Sequence, residues 1–101
     1  MPAITLQRAK PVSRTFAEFR ITHSWQEIEI YLRRLRGVES PLLTANGSDC
    51  TLRFFYRSHS FCAQERGNLL ILNVDNATCP DRILFEVQSH LAALLSPELA
   101  Y

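Results

Sequence analysis

Residues 50–75 read CTLRFFYRSHSFCAQERGNLLILNVD, and this stretch decides the fold. Cys50, Leu52, Phe54 and Tyr56 alternate with Thr51, Arg53, Phe55 and Arg57. That two-residue period marks a strand with one face toward a core, spanning about 50–58. A second strand is predicted at about 60–66 and a third at about 69–75. The run Leu69-Leu70-Ile71-Leu72 offers apolar side chains to both faces, which implies a central or covered strand. Gly67-Asn68 supplies a tight turn between the second and third, and Ser58-His59-Ser60 a turn or a bulge between the first two. Strands joined this closely must run antiparallel.

Two amphipathic helices flank the ribbon. Ser24-Trp25-Gln26-Glu27 fits a capping box, in which the Ser and Glu side chains satisfy backbone donors of the first turn. Trp25, Ile28, Leu32 and Leu35 then form one apolar stripe, and Gly37 is a natural stop, so a helix is predicted over about 24–36. Arg33, Arg34 and Arg36 fall in its last turn, where the helix dipole favours cations. A second helix begins near Pro80, with Thr78 as its cap and Ile83, Leu84, Val87, Leu91 and Leu94 on one face; Ser96-Pro97 ends it. Residues 12–22 form a further strand with Ala17, Phe19 and Ile21 on one side, Glu18 and Arg20 on the other, and Phe16 as an exception on the polar side. Pro41 and Asn46-Gly47-Ser48-Asp49 make 38–49 a loop, and Pro2 and Pro11 make 1–11 a loose arm.

The order is thus β-α-β-β-β-α. Both helices need a hydrophobic surface, and one sheet face serves both. The expected fold is a single α+β domain over 1–101, a two-layer sandwich with an antiparallel sheet and both helices on one face.

Composition narrows the function. The chain has 101 residues, 47% apolar and 21% charged, enough for one core and too apolar for disorder. Eleven basic residues against ten acidic leave a net charge of +1, too little to build a long-range field for a phosphate backbone. The charges are nonetheless uneven: residues 1–57 carry nine basic and five acidic groups, residues 58–101 two and five. Three cysteines without a CxxC pair do not form a disulfide framework. No signal-type or membrane-length apolar run is present, so a cytoplasmic location without membrane association is expected.

Candidate chemistry is sparse. Cys79 precedes the second helix, whose N-terminus could stabilise a thiolate. His59 and Cys62, with Cys50, Cys79 and His90 elsewhere, give one poorly spaced ligand pair where zinc wants two, so no metal is assigned. Caps, turns and solvated helix faces account for the carboxylates, and with three glycines and no GxGxxG motif no cofactor is assigned. Arg53, Phe55 and Arg57 are expected to project together from one strand face, as bases stacked between guanidinium groups would require. The helix–three strands–helix order is shared with double-stranded-RNA-binding domains. The likeness stops at topology, because the lysine-rich start of that family's second helix is replaced here by Cys79-Pro80-Asp81-Arg82.

The stronger signal is surplus apolar surface. Ile30 lies across the first helix from its stripe, Phe85 lies off the stripe of the second, and Phe55 is on the sheet face that the helices leave bare. Together these exceed what a two-layer domain hides by itself. The leading expectation is a non-catalytic domain that binds protein, a second copy of itself included, through Arg53, Phe55, Arg57, Ile30 and Phe85. A nucleic-acid-binding domain using the same sheet face is the second reading, and a thiol or metal protein through Cys79 or the Cys/His set is the third.

Overall fold

The computed structural model describes residues 13–46 and 49–100. The arm expected at 1–11 lies outside them. The elements are β1 (Arg14–Arg20), α1 (Trp25–Leu32), β2 (Val38–Asn46), β3 (Asp49–Tyr56), β4 (His59–Arg66), β5 (Leu69–Val74), α2 (Asp81–Ala92) and β6 (Ser96–Ala100). The expected β-α-β-β-β-α order is present, with one added strand at each edge of the sheet. All pairings are antiparallel, in the order β2-β3-β4-β5-β1-β6.

Two-residue turns fix the centre of this sheet. Tyr56 pairs with His59, so the β3–β4 turn is Arg57-Ser58. Both turn residues have positive φ, 51° and 69°, the backbone that matches the twist of a hairpin and that Asn-Gly adopts most easily. Arg66 pairs with Leu69 across Gly67-Asn68, where Gly67 takes the single positive φ, 63°. The resulting register puts Leu52, Phe54, Phe61, Ala63, Leu70, Leu72 and Val74 on one face, all buried. Phe54 and Phe61 are cross-strand partners and stack with centroids 5.3 Å apart. Aromatic pairs of this kind are among the larger stabilising contacts of a sheet.

β1 joins the same face through a bulge. Its register shifts between Thr15 and Ala17, which lets both Phe16 and Ala17 point into the core beside Phe19. The expected polar-side placement of Phe16 is therefore corrected. Phe16 is buried, with its ring edge-on to Phe61 at 5.9 Å. A bulge adds one residue to one strand, so side-chain alternation is reset at that point.

A second bulge corrects the loop expected at 38–49. β2 pairs with β3 along most of its length, but the register shifts between Glu39 and Leu42, and Ser40 has a φ of 53°. An edge strand tolerates Pro41 because its outward N–H has no ladder partner to lose. β6 is short, pairs with β1 and closes the other edge.

Both helices cover the core face. Trp25, Ile28 and Leu32 of α1 and Leu84, Val87 and Leu91 of α2 share one cluster with the sheet residues. The capping box at Ser24 forms: the Glu27 N–H donates to Ser24 Oγ at 3.2 Å, and the Ser24 N–H to Glu27 Oε1 at 2.9 Å. α1 ends at Leu32, earlier than expected, and hydrogen-bonded turns carry the chain through the three arginines to β2. Gly37 ends this stretch at a φ of 103°, where an added Cβ would stand 3.3 Å from the Tyr56 ring. Thr78 does not cap α2: its N–H and hydroxyl both donate to Asn76 Oδ1, and Pro80 occupies the cap position. The helices are tied by His90, whose ring stacks on Tyr31 at 4.4 Å and whose Nε2–H donates to the Tyr31 carbonyl at 2.7 Å.

Trp25 is the only tryptophan and is buried, so its fluorescence reports unfolding. In urea titrations followed this way, Ser58→Gly is expected to raise stability by about 0.5–1 kcal/mol, because it relieves a positive φ. Gly37→Ala is expected to lower it by about 1–3 kcal/mol, combining backbone strain with crowding of Tyr56.

Candidate interaction face

The sheet face opposite the helices is built by the other half of the alternation. Cross-strand partners share a face, so the register arranges it in rows. One row runs Glu39, Phe55, Ser60; the next runs Leu42, Arg53, Cys62, Asn73, Thr15; the next runs Thr44, Thr51, Gln64, Ile71, Glu18. A strand without a bulge would send Glu39 and Leu42 to opposite faces. The extra residue at Ser40-Pro41 brings both onto this one and returns Leu43 to the core side opposite Leu52.

Two large apolar residues stand open here. Phe55 is 48% exposed and Leu42 61%. Arg53, opposite Leu42 and two residues before Phe55 on β3, lies 3.9 Å from Asp75, with both side chains about half exposed. Such a pair is weak and leaves guanidinium donors available. No ion pair of Glu39 occurs among the described residues. Beside this group lies a shallow polar depression lined by Ser13, Thr15, Arg53, Gln64, Arg66 and Asn73, with Cys62 and Ile71 also in its wall. Thr15 donates to Asn73 Oδ1, and Asn73 Nδ2 donates to Gln64 Oε1 at 3.2 Å, so side chains bridge β1, β5 and β4.

The five residues expected to form one surface are divided. Arg53 and Phe55 lie on the open face. Arg57 leaves the strand at the hairpin turn, and its Nε donates to Glu86 Oε1 of α2 at 2.9 Å. The same oxygen accepts from the Tyr56 hydroxyl at 2.7 Å, and the Arg57 guanidinium lies over the Tyr56 ring. Ile30 and Phe85 are exposed as expected, at 58% and 66%, but belong to the helical layer, so the sheet stands between them and Phe55. Leu42 and Glu39 are the members that sequence reading passed over. Asn46-Gly47, a strong hairpin dipeptide after the apolar Leu42-Leu43, was the signal for a strand there.

The thiols do not gather. Cys62 is 4% exposed and Cys79 3%, and burial pushes both thiols up, away from thiolate formation. At Cys79 burial is opposed by the charge of Arg14 and outweighs it, and the Sγ–H points to the Pro80 carbonyl at 3.9 Å. Cys62 lies opposite Arg53 on the open face, while His59 lies opposite Tyr56 on the core side. Among the described residues no three His, Cys, Asp or Glu side chains are placed to share a metal ion. Nor is any helix among them long and apolar enough to cross a membrane.

Two outcomes test this description. A chromogenic disulfide reagent added to native protein should titrate the half-buried Cys50 well before Cys62 and Cys79, and all three together in denaturant. The Glu86 carboxyl is held below the ordinary value of 4.5, first by the Tyr56 hydroxyl and then by Arg57. A depressed folded value stabilises the fold above the unfolded value, and this is lost as pH falls through the folded one. Glu86→Gln should therefore lower the urea midpoint at neutral pH, with the gap to wild type closing in the acid range below 4.5.

Set against family models, curated proteins and solved structures, the chain matches none.

Proposed function

We propose that this chain is a non-catalytic protein-binding domain whose contact surface is the sheet face opposite the helices, centred on Phe55 and Leu42. The observation that supports this reading is the open placement of those two side chains on neighbouring strands, flanked by Arg53 and Glu39. An aromatic and an aliphatic anchor inside a charged rim is the composition that protein interfaces favour. Burying the two side chains would add a few kcal/mol to association, roughly 1.5–3 kcal/mol each when fully covered.

The mixed signs of the face argue for protein over nucleic acid as the partner. Arg53, Arg66 and Arg20 are interspersed with Glu18, Glu39 and Asp75, so the field is not of one sign. Arg57, the second cation that a base-stacking platform would need, is engaged with Glu86. Three free cysteines, two of them buried, suit a reducing compartment, and the cytoplasm is the location that goes with this reading.

A photo-crosslinking residue placed at Phe55, with one at Ile30 as control, tests the proposal in the cells that make the protein. Protein adducts are expected from position 55 and not from position 30, and the added substitution Arg53→Glu should reduce them. Adducts to nucleic acid, or none from position 55, would overturn the reading.

A further inference from the structure

Resting on that reading, we infer that the occupant of the face is a second copy of this chain, bound face to face about a two-fold axis that runs along the diagonal from Phe55 to Leu42. Glu39, Phe55, Arg53 and Leu42 occupy the corners of a small quadrilateral on two adjacent strands. Glu39 is opposite Phe55, and Leu42 is opposite Arg53. The apolar residues therefore lie on one diagonal and the charged residues on the other. All four are exposed. Adjacent strands are about 4.8 Å apart and residues two apart on a strand about 6.8 Å, so the corners lie within side-chain reach of one another.

A homodimer interface must be complementary to itself. Four in-plane axes through its centre relate the quadrilateral to a copy of itself, and only one sets apolar groups on apolar groups while bringing opposite charges together. An axis along the strands sets Glu39 against a phenyl ring and Leu42 against a guanidinium. An axis across the strands sets Glu39 against an isobutyl group and Phe55 against a guanidinium. The Glu39–Arg53 diagonal stacks each charge on its own kind. Along the Phe55–Leu42 diagonal, Phe55 meets Phe55 of the partner subunit and Leu42 meets Leu42 of the partner subunit. Glu39 then faces Arg53 of the partner subunit twice over, once on each side of the axis. The 3.9 Å separation of Arg53 from Asp75 leaves the guanidinium able to turn to that carboxylate.

Charge exchange tests the arrangement by sedimentation or light scattering across a dilution series at low salt. Wild type is expected to dimerise. Glu39→Arg alone places two arginine pairs across the axis, and Arg53→Glu alone places two glutamate pairs. Each should raise the dissociation constant at least about tenfold, since like charges facing one another oppose association strongly. An equimolar mixture of these two variants restores both opposite-charge contacts, so it should dimerise as wild type does; that recovery also shows that both variants fold. A wild type that stays monomeric, single variants that dimerise unchanged, or a mixture that fails to recover would each overturn the inference. If wild type is monomeric while the crosslinker at position 55 captures a different protein, the dimer fails and the protein-binding reading stands. If position 55 captures nothing, both fail.

Discussion

The register imposed by two-residue turns governs the rest of this structure. Between Asp49 and Val74 the chain reverses twice with no slack, at Arg57-Ser58 and Gly67-Asn68. A slip of one residue at either turn would exchange the two faces of a strand, sending Phe54 or Phe61 to solvent and Arg53 or Cys62 to the core. With the register held, one face becomes continuously apolar and large enough for both helices. Along β3, β4 and β5 the composition of the opposite face then follows from the same alternation. The backbone strain at Arg57 and Ser58 is the local cost of that control. It also places Arg57 where Glu86 and Tyr56 can engage it, so the turn is tied to α2 as well as to its own hairpin.

Where alternation was regular, the sequence was readable. The three central strands fall within a residue or two of the expected bounds, and the capping box at Ser24 located the start of α1. The departures share one physical cause. Phe16 broke the alternation of β1 because a bulge resets it, and Ser40-Pro41 disguised β2 as a loop for the same reason. A period-two pattern has no means of representing an extra residue. β6 was hidden differently: Ser96-Pro97 reads as a helix stop, and its strand character comes from pairing with β1 at the far end of the sequence. Strand propensity is set mainly by such neighbours.

The candidate face was legible only in part. Exposure of Ile30, Phe55 and Phe85 followed from their displacement from the apolar stripes. Their division between two layers could not follow, because a helix stripe and a strand face are read separately and their relation is tertiary. Arg57 continues the two-residue spacing of Arg53 and Phe55 in the sequence, because that spacing persists past the end of the strand. Leu42 and Glu39 became neighbours only through the bulge. The thiols illustrate a different limit. Cys79 sits before a helix, where the sequence invites a thiolate, but its thiol is buried and burial is the largest cause raising it, and burial is not written in the local sequence.

The position of β1 has a consequence for how the polypeptide acquires its shape during synthesis. It is the first strand of the described chain to be made, yet it is seated between β5 and β6 and pairs with nothing nearer in the chain than Leu69–Val74. As the polypeptide leaves the ribosome, the β3–β4 and β4–β5 hairpins can zip locally, whereas β1 must wait as an unpaired ribbon until β5 has emerged. Its closing of a long loop carries an entropic cost that local hairpins avoid. Until then the nascent sheet has a bare edge along β5 and an uncovered core face, the conditions under which a growing chain relies on chaperones or risks joining its neighbours.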